Sequence, residues 1–164
     1  VLKKDLSSIF KAKKIRTLIL RTDPGEEESS CQKSPLEILF SNTQSVGVSP
    51  QITVLENLKI SNLPNLISLP EGIGNFTALQ KLEIYNLPCL ISLPEGIGNF
   101  TALQKLEISN LPFRFCPNLT SLPSGMHRLS SLQTLIIIRC PHLKERYQKG
   151  IGEIAHVPDF QYRD

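Results

Sequence analysis

Residues 66–84 read LISLPEGIGNFTALQKLEI, and residues 90–108 repeat the same 19 letters 24 positions further on. An internal duplication with this period marks a chain built from stacked supersecondary units. Upstream, LENLKISNLPNL begins at Leu55, one period before LQKLEIYNLPCL at Leu79. Downstream, LQTLIIIRCPHL begins at Leu132 and not at 127, where the period counted from Leu103 would place it. The excess assigns a five-residue insertion to 113–117. Placed in register, the apolar residues form columns. Leu55, Leu79, Leu103 and Leu132 make one; Leu58, Leu82, Leu106 and Leu135 the next; Ile60, Ile84, Ile108 and Ile137 the third. Leu66, Leu90, Leu119 and Leu143 follow, then Leu69, Leu93 and Leu122, each of these three leading into Pro70, Pro94 or Pro123. Ile73, Ile97 and Met126, then Phe76, Phe100 and Leu129, complete the unit.

A unit this short cannot bury its own apolar side chains, but stacked units bury each column against the same column of the next. The alternation Leu82-Glu83-Ile84 has the period of a strand. Repeated strands of this kind predict a parallel sheet with Leu and Ile pointing inward. The segment LPEGIGNF turns the chain back: proline fixes φ and stops a long helix from starting, and glycine relaxes the backbone. The expected fold is an α/β solenoid, with a short curved parallel sheet on one side and an irregular or 3₁₀ convex side.

Three regions follow from this pattern. Residues 1–51 are expected to hold an amphipathic N-terminal helix over 1–14, with Leu2, Leu6, Ile9 and Phe10 on one side, and degenerate first repeats. One of these includes the strand-like Ile15-Arg16-Thr17-Leu18-Ile19-Leu20, another 36–40. Residues 52–143 hold the clear repeats, and 144–164 are expected to be a capping tail.

Composition excludes several function classes. The net charge of +3 is too small to point to nucleic acid. Seven Lys or Arg stand against one Asp in the first 21 residues, with Phe10 the single aromatic among them, and a solvated helix face is the expected reading. No run of 18 apolar residues predicts a membrane span, and 1–14 lacks the apolar core of a signal peptide. Cys31, Cys89, Cys116 and Cys140 stand far apart along the chain, a spacing that fits neither a zinc site nor a compact disulfide framework. A reducing, cytoplasmic setting is expected. His127, His142 and His156 have no carboxylates at ligand spacing, so no metal is expected. There is no GxSxG elbow and no phosphate-binding GxxxxGK[ST] loop, so no catalytic residue and no cofactor are expected. Glu26-Glu27-Glu28 reads as a solvated cluster.

The pattern LxxLxIxxCxxLxxLPxxI resembles the leucine-rich repeat of plant intracellular immune receptors. These are the nucleotide-binding, leucine-rich-repeat disease-resistance proteins, in particular the coiled-coil class. Three segments carry the resemblance: SSIFKAKKIRTLIL (7–20), the array from Leu55 to Leu143, and CPHLKERYQKGIGEIAHVPDF (140–160). The last is the most specific. The sequence departs from the family where Cys or Asn is common, holding Leu63, Leu87 and Leu111, with Cys140 alone fitting. The resemblance implies a non-enzymatic scaffold for protein–protein interaction. Its implied partners are a pathogen effector, a host guarded protein or a receptor nucleotide-binding domain, with no nucleic acid and no membrane.

In such a repeat the strand residues between the leucines face the concave surface. The expected partner-binding residues are Lys59, Lys81, Glu83, Tyr85, Lys105, Glu107, Thr134, Ile136 and Ile138. Lys81 and Lys105 share one column and Glu83 and Glu107 another, which is also the pattern of a solvated mixed-charge ladder. Tyr85 is an aromatic of the kind that anchors interfaces. Ile136 and Ile138 place apolar groups where earlier units keep polar ones, either as a docking patch or as a seat for the C-terminal tail. The insertion carries Phe113 and Phe115, which either present a contact or pack under their own loop. The sequons at Asn75, Asn99 and Asn118 keep open a different class, an extracellular receptor-like or cell-wall protein. A non-functional receptor fragment is the third reading.

Overall fold

The computed structural model describes residues 15–21, 54–109, 119–147, 152 and 154–164. The expected helix over 1–14, the strand over 36–40, the acidic run 26–28 and the insertion 113–117 lie outside them. The described residues form one six-stranded sheet in chain order, every neighbouring pair parallel. Its strands are β1 (Thr17–Arg21), β2 (Asn57–Ser61), β3 (Lys81–Tyr85), β4 (Lys105–Ser109), β5 (Thr134–Ile138) and β6 (Asp159–Arg163). Parallel neighbours need a crossover of about a dozen residues or more. Residues 86–104, between β3 and β4, supply one.

Each crossover of the repeat array contains a 3₁₀ segment: η1 (Glu71–Asn75), η2 (Glu95–Asn99) and η3 (Ser124–Arg128). The preceding prolines, Pro70, Pro94 and Pro123, hold φ at −69°, −70° and −62°, as the pyrrolidine ring requires, with ψ near 150°. The extended proline aims the chain inward and one tight turn follows. Each segment ends where Phe76, Phe100 or Leu129 donates its backbone N–H to Ile73, Ile97 or Met126. The core fills the space between the sheet and this row of turns. Leu58, Leu82, Leu106 and Leu135, with Ile60, Ile84, Ile108 and Ile137, come from the strands; Ile73, Phe76, Ile97, Phe100 and Met126 come from the turns.

The turns stack at backbone distance because glycine recurs in them. A Cβ on Gly74 would sit 2.6 Å from the carbonyl oxygen of Gly96, and one on Gly98 would sit 2.8 Å from that of Gly125. Glutamate ties the same row together. Glu71 Oε2 accepts the N–H of Gly96 at 3.1 Å. The Glu95 carboxylate accepts the N–H groups of Ser124 and Gly125 and the Ser124 hydroxyl, at 3.0, 2.8 and 3.0 Å. Each glutamate therefore satisfies the orphan donors that open the next turn.

Those bonds hold the Glu95 carboxyl below its ordinary value of 4.5, chiefly through the Gly125 and Ser124 N–H groups. A carboxylate whose pKa is depressed on folding adds stability above its unfolded value and loses it as pH falls through the folded value. Glu95→Gln is therefore expected to be less stable than the parent at pH 7, with the gap closing as pH drops below about 4.5. Urea midpoints of both proteins across pH 3–7 measure this; a gap independent of pH would contradict it.

At the other end of β2, β3 and β5 the chain turns through a left-handed residue: Asn62 (φ 55°), Asn86 (φ 50°) and Arg139 (φ 52°). Asparagine is the non-glycine residue most at ease there. Asn86 Nδ2 donates to Asn62 Oδ1 at 2.9 Å, which links successive turns. In the next column the Cys140 thiol lies 3.3 Å from the Ile138 carbonyl and 3.8 Å from that of Ile108. Leu63 and Leu87 occupy that column in the earlier units, and all three residues are buried in the core.

Residues 144–164, expected as a capping tail, contribute the end of a short helix, α1 (Pro141–Tyr147), and all of β6. Tyr147 is fully buried and its hydroxyl accepts the Leu122 N–H at 3.0 Å. Phe160 and Tyr162 of β6 stand in register with Leu135 and Ile137 and pack on the core. Lys144 reaches Asp164 at 2.7 Å and lies 4.7 Å from the centre of the Tyr162 ring.

Candidate functional site

Alternation along the strands sends half of their side chains away from the core. With six strands in register, the outward residues form three columns. The central one runs Ile19, Lys59, Glu83, Glu107, Ile136, Gln161. On one side lie Thr17, Asn57, Lys81, Lys105, Thr134 and Asp159; on the other, Arg21, Ser61, Tyr85, Ser109, Ile138 and Arg163. All nine sequence-predicted residues therefore fall on one sheet face, across β2–β5.

On β2–β4 the charges pair. Glu83 sits between two ammonium groups, Lys59 Nζ at 3.4 Å and Lys81 Nζ at 2.5 Å. Hydrogen bonding from Lys81 is the main cause that holds the Glu83 carboxyl below the usual range; partial burial opposes it, and the charges of Lys81 and Lys59 assist. Lys105 pairs with Glu107 at 3.1 Å. Lys59 is exposed and the other four residues are half-buried, and surface pairs of this kind contribute little stability, ~0–1 kcal/mol each, so they leave the face open to exchange for a partner's charges. Tyr85 is exposed, and the residues in register beside it, Ser61 and Ser109, are buried.

Of the two readings of Ile136, the structure agrees with a seat for the C-terminal tail and not with an exposed docking patch. Ile136 retains 7 % exposure and lies outside the inner core, with Glu107 on β4 and Gln161 on β6 in register on either side. Thr134 and Ile138 are half-buried, each with a β6 residue alongside, Asp159 and Arg163 respectively. The β6 side chains bond among themselves: Gln161 donates to Asp159 at 2.9–3.0 Å and Arg163 donates to Gln161 at 2.5 Å.

Comparison with protein-family models and with curated proteins finds no match for this chain.

Ile19 is not among the partner-binding residues expected from the sequence. It is 55 % exposed at the β1 end of the central column, beside Lys59. The strand-like alternation of 15–20 carried the signal, because the residue between Leu18 and Leu20 must point outward. A depression of about 210 Å³ opens there, lined by Thr17, Ile19, Asn57, Lys59, Lys81 and Glu83. Among the described residues no three His, Cys, Asp or Glu side chains gather as a metal site, and no helix is long and apolar enough to cross a membrane. Asn75 and Asn99 are exposed at the ends of η1 and η2; Asn118 lies outside the described residues.

Proposed function

We propose that the chain is a leucine-rich-repeat solenoid serving as the protein–protein interaction module of a plant immune receptor. It works in the cytoplasm, without enzymatic activity, by sensing a pathogen effector or guarded host protein, or by holding the receptor's nucleotide-binding domain inactive. The observation that carries this reading is the outer sheet face. Parallel strands in register, each spaced by a repeat, line up Lys59, Lys81, Glu83, Tyr85, Lys105 and Glu107 as one continuous polar surface with an exposed aromatic. The backbone and leucine columns fix the spacing, so the outward positions are free to vary for recognition.

The test is a pull-down and titration of the full chain with the nucleotide-binding domain of a related receptor. Association is expected, and Lys81→Glu or Tyr85→Ala should weaken it by roughly tenfold or more, as expected at an interface anchor. No association, or binding indifferent to both substitutions, argues against this reading.

A second reading, an extracellular receptor-like or cell-wall protein, is favoured by the exposure of Asn75 and Asn99 in intact sequons. Mass spectrometry of the protein from its natural host separates the two: glycan on Asn75 supports the extracellular reading.

A further inference from the structure

The outer face changes character along its length. At the β5–β6 end it is closed: Ile136 is buried, and Asp159, Gln161 and Arg163 are bonded to one another. At the β1–β3 end it is open among the described residues, with the depression beside Ile19 and the ammonium groups of Lys59 and Lys81 on its walls. Those side chains remain 45 % and 40 % exposed. Two ammonium groups share the one carboxylate of Glu83, so among the described residues the slot carries one surplus positive charge. The neighbouring pair Arg16–Glu56 is balanced and does not offset it. The exposed isoleucine adds an apolar wall directly beside this charge.

The geometry points to an acidic segment of a protein partner as the occupant of this slot, with an apolar residue next to its Asp or Glu. The carboxylate meets Lys59 and Lys81 while the apolar side chain covers Ile19. This rests on the outer face being the binding surface, as in the proposed function, and specifies which end of it is used and for what chemistry. Glu83 occupies the carboxylate position when no partner is present. A partner must displace it, so removing its charge tightens binding instead of weakening it.

The experiment is a titration of the ¹⁵N-labelled full chain with the acetylated peptide GSELEDLESG and, separately, with its basic counterpart GSKLKKLKSG. For the acidic peptide, saturable amide shifts are expected around Ile19, Lys59 and Lys81. Glu83→Gln should raise affinity roughly threefold, the range over which one exposed ion pair competes. Reversal of both lysines, Lys59→Glu with Lys81→Glu, should lower it more than roughly tenfold with the remaining spectrum unchanged. Equal binding of the basic peptide, or unchanged or weaker binding in Glu83→Gln, overturns the proposal. Shifts at the same amides on raising protein concentration alone assign the slot to a second copy and also overturn it. Shifts centred on Lys105 and Thr134 overturn the slot but leave the outer-face reading intact, as does a pull-down sensitive to Tyr85→Ala without any peptide effect.

Discussion

Leu106→Ala is expected to lower the free energy of unfolding by about 4 kcal/mol and the Tm by about 10 °C. Leu106 is fully buried on β4, in register with Leu82 on β3 and Leu135 on β5. Truncation removes the transfer free energy of the side chain and leaves a cavity between two neighbouring units, and a rigid stack collapses poorly onto such a gap. Two comparisons sharpen the expectation. Leu18, in the same inward column on β1, is 8 % exposed and has one strand neighbour among the described residues, so Leu18→Ala should cost distinctly less. Lys105, adjacent to Leu106 but pointing outward, should cost less than about 0.5 kcal/mol when replaced by Ala. Urea unfolding followed by circular dichroism measures all three. Equal losses at positions 18 and 106 would contradict a core shared between successive strands.

Gly98→Val is expected to cost about 3 kcal/mol, although Gly98 lies in a turn on the side opposite the strands. The reason is steric alone. A Cβ there falls 2.8 Å from the Gly125 carbonyl oxygen and 3.0 Å from Gly125 Cα. Both obstacles are backbone atoms of the next turn, and that turn is itself fastened by Glu95 through the Gly125 and Ser124 N–H groups. Relief requires two units to separate along the row of turns, which loosens the Phe100 and Met126 packing beneath. Thermal unfolding of the Gly98→Ala and Gly98→Val variants should show losses that grow with side-chain size. Unchanged stability in both would mean that the turns do not meet at backbone distance.

Much of the sheet was legible in the sequence because its cause is periodic. Columns drawn at the repeat offset, lengthened once for the insertion, put Leu82, Leu106 and Leu135 together, and these residues are register partners. The longer unit keeps register because an insertion in a crossover lengthens the return path without moving the strand. The strand over 15–20 was legible too, but it does not stand one period before β2: Leu18 pairs with Leu58, well beyond the repeat offset. Its outward residue, Ile19, therefore dropped out of the columns and out of the candidate site.

The sixth strand was not legible, for a chemical reason. Its inward positions hold Phe160 and Tyr162 where the repeat holds Leu and Ile, and no LxxL run precedes it. Phe160 follows Leu135 at an offset just one position longer than the repeat, so the period alone pointed close to it. Without β6, the two readings of Ile136, docking patch and seat for the C-terminal tail, could not be separated. The inter-turn bonds of Glu71 and Glu95 were hidden for another reason: a carboxylate on an exposed turn carries no pattern that says which backbone it will meet.

The central claim is that residues one repeat apart lie side by side in a parallel sheet, so that each leucine column is shared between units. Methyl NOEs in a sample labelled at leucine and isoleucine test it directly. Cross-peaks are expected linking Leu82 with Leu106, Leu106 with Leu135, and Ile84 with Ile108. Assigned methyl spectra lacking all three contacts, with each of these residues touching only its own unit, would contradict it.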